Sequence, residues 1–146
     1  MSAMHNIGYN VTLTRYDHGA MVNGLLQAAG AGNNYEKMTQ AQIQKALVGK
    51  TVGEKRFLST SYNNFQRAPQ NTKSIFDSRA VKINYKAKAN TQAMMPGTGP
   101  GGDFGEMILA PTSGKITAVR LTGQMVRRQG TQNYNQPRIE IDIEIG

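Results

Sequence analysis

The sequence predicts a single α+β domain, on three observations. Helical spacing of apolar residues is confined to the first third of the chain. Strand-like alternation fills most of the remaining two thirds, so helices and strands are segregated rather than interleaved as β-α-β units. The length of 146 residues suits one domain able to hide a core without disulfides or a structural metal.

Met1 to Met4 are small and unpatterned and are set aside. Val11 to Arg15 is β-branched and alternating and reads as a first strand, with Tyr16 to Gly19 as a turn. Met21, Val22, Leu25, Leu26 and Ala29 keep helical spacing from Ala20 to Ala29, and Gly30 and Gly32 stop it. Thr39 with Gln42 three residues on is a capping-box start for a second helix carrying Ile43, Ala46 and Leu47, ended by Gly49. Strands are then expected over 56–61, 80–89, 104–109, 115–122 and 138–145. The clearest alternate Val81, Ile83, Tyr85 and Ala87 against Lys82, Asn84, Lys86 and Lys88, and Ile139, Ile141, Ile143 and Ile145 against Glu140, Asp142 and Glu144. Pro96 to Gly102 is a Gly/Pro-rich loop, and no internal repeat, heptad or long linker appears.

Composition excludes several kinds of chemistry. No cysteine means no disulfide framework, thiolate zinc site or thiol nucleophile, and two histidines are too few for a histidine-based metal site. No run approaches the roughly 20 apolar residues that span a bilayer, and the first 30 residues lack the basic-then-apolar order of a secretory signal. The net charge of +8 is uneven. Eleven of the 17 basic residues fall between Lys37 and Lys88, opposed only by Glu54 and Asp77, and the stretch from Lys115 to Arg138 holds five basic residues and no acid. Such surfaces attract polyanions or phosphate-rich ligands, although a well-hydrated basic face has the same composition.

Three short motifs fail on context. Gly97, Gly99 and Gly102 spell G-x-G-x-x-G, but a strand rather than a helix comes after them. Gly49-Lys50-Thr51 ends like a phosphate-binding loop, yet Gln44 stands where the leading glycine must be. Asp17-His18 is a polar turn rather than part of a triad.

A more specific signal is an ordered set: Arg15 ending the first strand, Ser59-Thr60-Ser61 within FLSTS, FDSR (Phe76 to Arg79) before the next strand, and a glycine-rich loop delivering Glu106 at the head of EMIL. This order resembles the mono-ADP-ribosyltransferase toxins with an Arg, Ser-Thr-Ser, Glu signature, the group of C3-like exoenzymes and actin-modifying binary toxins. The likeness runs from Arg15 to about Leu109 and lies in the joint order of the pieces.

The resemblance implies two antiparallel β-sheets packed at a steep angle, flanking helices and a cleft for NAD as substrate, with no metal. Breaking the bond between nicotinamide and ribose creates an oxocarbenium-like centre, which a fixed carboxylate stabilises. By the match Glu106 is that carboxylate and Ser59 holds it, with Thr60 and Ser61 supporting at the NAD side. Arg15 and Arg79 would grip the pyrophosphate in a guanidinium fork, and Phe76 would stack on the nicotinamide ring. Phe65 and Arg67 are a rival pair in the same stretch, but FDSR has the F-x-x-R spacing next to a strand.

One position departs from the family: two residues before the catalytic glutamate, where Glu or Gln is usual, this chain has Phe104. Neither the arginine nor the asparagine acceptor of those members carries over. Asp103 or a base-stacking Phe104 would then recognise the acceptor. The expectation is an NAD-dependent transferase acting on a macromolecule, RNA favoured over a protein side chain. It would be the toxic end, residues 1–146, of a longer delivered polypeptide that acts in the target-cell cytoplasm and is neutralised by a cognate immunity protein. The competing expectation is a non-catalytic module binding nucleic acid through Lys82, Lys86 and Lys88 and the region 115–138.

Overall fold

A computed structural model describes residues 5, 6, 8–54, 58–61, 80–94 and 106–145. Strand β1 (His5–Asn6) and strand β2 (Val11–Asp17) precede helix α1 (Gly19–Ala28), a 3-10 turn (Tyr35–Lys37) and helix α2 (Gln40–Leu47). The later elements are the strands β3 (Thr51–Glu54), β4 (Leu58–Ser61), β5 (Val81–Ala87), β6 (Gln92–Met94), β7 (Glu106–Leu109), β8 (Thr112–Gln129) and β9 (Gln132–Ile145). The expected α+β class is what the chain adopts.

Hydrogen-bonded neighbours run in the order β1-β6-β7-β4-β2-β5-β9-β8-β3. The order has two halves, β1-β6-β7-β4 and β2-β5-β9-β8-β3, joined by one registered pair, Thr14 of β2 opposite Ser61 of β4. Among the described residues the ladders are antiparallel with one exception: β5 and β9 run parallel, Val81 beside Ile139 through Ala87 beside Ile145. Purely antiparallel sheets were expected. Parallel neighbours need a crossover, and here β8 supplies it by leading away from the short half and returning through a hairpin as β9.

The alternation along the strands sets what is buried. Leu13, Val81, Ile83, Tyr85, Ile139, Ile141, Ile143 and Ile145 form one core with Val22 and Leu26 of α1 and Ile43 and Leu47 of α2. Helix α2 opens with the expected capping box: the Gln42 amide donates to Thr39 Oγ1 at 3.2 Å and the Thr39 amide to Gln42 Oε1 at 2.9 Å. It lies on β8, where Gln44 Nε2 donates to the Val119 carbonyl at 3.0 Å and the Leu121 amide to Gln40 Oε1 at 2.9 Å. Helix α1 begins at a buried glycine because a Cβ on Gly19 would stand 2.8 Å from Gln136 Nε2 and 3.1 Å from the Tyr35 ring.

Boundaries differ from expectation where partners extend a strand. β2 continues through Tyr16 and Asp17, which pair with Lys82 and Val81, so the expected turn shrinks to His18. β8 runs from Thr112 to Gln129 and β9 starts at Gln132, because the two pair with each other well beyond the core. Three short strands, β1, β3 and β6, were not expected. Each carries too few residues to show a period, and each is defined by its neighbour.

Candidate active site

Strands β2, β4 and β7 bring two of the sequence-selected positions, Ser61 and Glu106, onto one crossing line with Thr14. In β4 and β7, Leu58 stands opposite Leu109, Ser59 opposite Ile108, Thr60 opposite Met107 and Ser61 opposite Glu106. Because Thr14 stands opposite Ser61, the positions Thr14, Ser61 and Glu106 form a row across three strands. Directly opposed residues share a sheet face. Glu106 is the first residue of β7.

Thr60 faces the other way and is fully buried. Its hydroxyl donates to the Met107 carbonyl at 2.6 Å, tying β4 to β7 one residue from the Ser61–Glu106 pair. The Thr60 hydroxyl, expected on the NAD side, thus fastens β4 to β7 through the backbone. Ser59, expected to hold Glu106, lies diagonally from it, and Ser61 is the direct cross-strand neighbour. Arg15 comes one residue after Thr14 and pairs with Ile83, so the pleat turns it to the opposite face from the row. It is half-buried, with Nε 3.7 Å from Asp17 Oδ2. Asp17, expected as a turn residue, therefore partners the expected pyrophosphate arginine, and its Oδ1 also accepts the His18 amide at 2.8 Å. The i, i+2 spacing within a strand was the signal for that pair. Phe76, Arg79, Asp103 and Phe104, with the rival Phe65 and Arg67, lie outside the described residues.

Sequence reasoning missed the continuation of the row. Thr14 stands opposite Asn84 of β5, and Asn84 beside Asp142 of β9. The Thr14 hydroxyl lies 3.5 Å from Asn84 Oδ1, and Asn84 Nδ2 donates to Asp142 Oδ1 at 2.9 Å. Arg120 of β8 then bridges Asp142 and Glu140, with Nη2 2.8 Å from both Asp142 Oδ1 and Glu140 Oε1. Burial alone would push the Glu140 and Asp142 carboxyls up. Hydrogen bonds from Arg120 and Asn84 and the charges of Arg120 and nearby lysines outweigh it, so both are held below the usual carboxylate range. Arg120 is raised, chiefly by its hydrogen bonds to Asp142 and then Glu140. The clue in the sequence was a polar amide, Asn84, between two lysines on an otherwise charged strand face.

The same face answers the expectation of a bare lysine surface. Lys82 Nζ lies 3.6 Å from Glu140 Oε2, Lys86 Nζ 3.5 Å from Asp142 Oδ2 and Lys88 Nζ 2.9 Å from Glu144 Oε1. The parallel register of β5 and β9 sets these lysines against the three acids of β9, so the face is largely neutralised within the chain. Among the described residues no group of three His, Cys, Asp or Glu side chains is placed to hold a metal ion, and no helix is long and apolar enough to cross a membrane.

Comparison with solved structures addresses the architecture as a whole. The C3larvin toxin of Paenibacillus larvae, an ADP-ribosyltransferase, superposes with a TM-score of 0.61 at 18% identity over 97% of this chain and 64% of that one. The C3 exoenzyme of Clostridium limosum gives 0.59 at 19% identity over 96% of this chain and 61% of that one. C3stau2 from S. aureus, solved with NAD, gives 0.59 at 13% identity over 95% and 63%. The fold is that of the ADP-ribosyltransferase toxins. No family profile and no curated protein sequence matches this chain, so the ADP-ribosyltransferase fold is visible in shape where sequence identity is low. The chain spans somewhat under two thirds of the length of the three neighbours described. The likeness covers nearly all of this chain, beyond the Arg15 to Leu109 stretch that carries the motifs.

Proposed function

We propose that the chain transfers ADP-ribose from NAD to a macromolecular acceptor and releases nicotinamide. The observation that carries this reading is the direct cross-strand pairing of Ser61 with Glu106 in an ADP-ribosyltransferase fold. The bond between ribose C1′ and the nicotinamide nitrogen breaks, its electron pair leaving with nicotinamide. The developing positive charge on the sugar is met by the Glu106 carboxylate, and an acceptor nucleophile then attacks C1′ and sheds its proton. A carboxylate helps most when fixed, and the tie from Thr60 to Met107 stiffens the strand pair that carries it. Support for NAD as donor comes from C3stau2, solved with NAD.

RNA is the favoured acceptor, on the charge of +8 and on Phe104 in place of the usual acceptor-selecting Glu or Gln. By the same reading the domain acts as a delivered effector in the cytoplasm of a target cell, held in check by a cognate immunity protein; C3larvin, a toxin, is the precedent in kind. The competing reading, a purely binding module on the Lys82, Lys86 and Lys88 face and the region 115–138, is weakened at the lysine face, where all three lysines pair with β9 acids.

Incubation with NAD should release nicotinamide, and Glu106→Gln should lower the rate by about 100-fold or more. Equal rates in wild type and variant would remove the enzyme reading. With labelled NAD in a cell extract, label destroyed by RNase supports RNA, and label destroyed by protease transfers the assignment to protein.

A further inference from the structure

Among the described residues the β8–β9 hairpin continues past every other strand. The ladder from β3 reaches β8 only at Lys115, and the ladder from β5 reaches β9 only from Ile139 onward, whereas β8 and β9 pair with each other from Gly114–Ile145 out to Gln129–Gln132. The base of this extension is docked: Gln136 is buried and donates through Nε2 to the Tyr35 hydroxyl at 3.2 Å, and that hydroxyl donates to the Pro137 carbonyl at 3.0 Å. A register shift between Leu121 and Gly123 re-aims the ribbon just inside that dock. Beyond it Val126 to Asn135 form a two-stranded arm closed by the turn Gly130-Thr131, with Gly130 at φ 63, the left-handed backbone that a tight hairpin turn requires.

The arm is chemically unlike the sheet it leaves. Its ten residues, VRRQGTQNYN, include two arginines, four side-chain amides, one tyrosine and no acid. Val126 is 47% exposed, and Gly130, Thr131, Gln132 and Asn135 are exposed as well. No acidic residue occurs between Glu106 and Glu140, and Glu140 is already engaged by Arg120 and Lys82. In register Arg127 stands opposite Tyr134 and Arg128 opposite Asn133, so cation, aromatic and amide positions alternate along the ribbon.

We infer that the arm Val126–Asn135 is a binding ribbon for single-stranded RNA. Arginines meet phosphates, amides read base edges, and an aromatic or guanidinium plane stacks on unpaired bases. Paired RNA is a poorer fit, because the A-form major groove is too narrow for side chains to read. A partner recognised by charge alone would not need the amides and tyrosine. The arm's use as the dock for the acceptor rests on the transferase reading; the binding itself does not.

The test is fluorescence anisotropy of the full chain with a labelled mixed-sequence single-stranded RNA longer than about 16 nucleotides, titrated between roughly 50 and 200 mM salt. Wild type should bind in the micromolar range. The double variant Arg127→Ala, Arg128→Ala should weaken binding at least about tenfold and flatten the salt slope by about 0.7 per arginine. Tyr134→Ala should weaken binding with little change in slope. Both variants should keep the wild-type circular-dichroism spectrum and melting temperature, which verifies their fold. Unaltered RNA affinity in both variants overturns the inference, and so does polyglutamate or a duplex competing as well as single-stranded RNA. Wild type that binds RNA through the arm yet never releases nicotinamide sinks the transferase reading and leaves the ribbon standing.

Discussion

Strands β5, β9 and β8 are 7, 14 and 18 residues long, whereas β1, β6, β7 and β4 are 2, 3, 4 and 4. The long half holds all four core isoleucines of β9, both helices pack against the core it forms, and its outer face is laced by paired charges. The short half carries Ser59, Ser61 and Glu106 and meets the long half through one registered pair. Most of the buried core therefore lies in the long half and the proposed catalytic carboxylate in the short one. Substitutions should separate stability from activity according to the half they strike.

The largest expected effect is on the stability of the long half. Ile141→Ala, at a fully buried position, should cost about 2–5 kcal/mol in urea unfolding. A loss as small as an exposed substitution would show that β9 is not the centre of the core. Next comes Asp142→Ala, which strips Arg120, Asn84 and Lys86 of a shared acceptor; with Arg120 partly exposed, about 1–2 kcal/mol is expected. In the short half Thr60→Val removes the tie to Met107 and should cost about 1 kcal/mol while lowering nicotinamide release out of proportion to that loss. A drop in stability with an undiminished rate would separate the fastener from the chemistry. The smallest effect is pH-dependent. Glu140, Asp142 and Glu144 are held below their ordinary values near 4.5, 3.8 and 4.5, so their contribution is complete above those values and fades as pH falls through the depressed ones. Acid titration of stability should show a shallower fall below about pH 4 for Asp142→Asn than for wild type.

Much of the long half was legible because its strands are long enough to show a period. Ile139 to Ile145 declare one buried face, and Thr39 with Gln42 declares where α2 begins. What was not legible is what one strand does to another. The alternation of Lys82, Lys86 and Lys88 reads as a basic stripe until the parallel register sets Glu140, Asp142 and Glu144 beside it. Ser59 and Ser61 look interchangeable along the chain, and only pairing with β7 makes Ser61 the direct neighbour of Glu106. The ends of β8 and β9 were read too short because the sequence from Gln124 to Asn135 shows no apolar alternation, and its strand character is set by the pairing of β8 with β9.

The central claim concerns the row that crosses from the long half into the short one, and nicotinamide release tests it most directly. Wild type and Glu106→Gln should unfold at the same temperature, with the variant slower at releasing nicotinamide from NAD by about 100-fold or more. Equal release by two equally folded proteins would contradict the assignment of Glu106 and the transferase chemistry built on it.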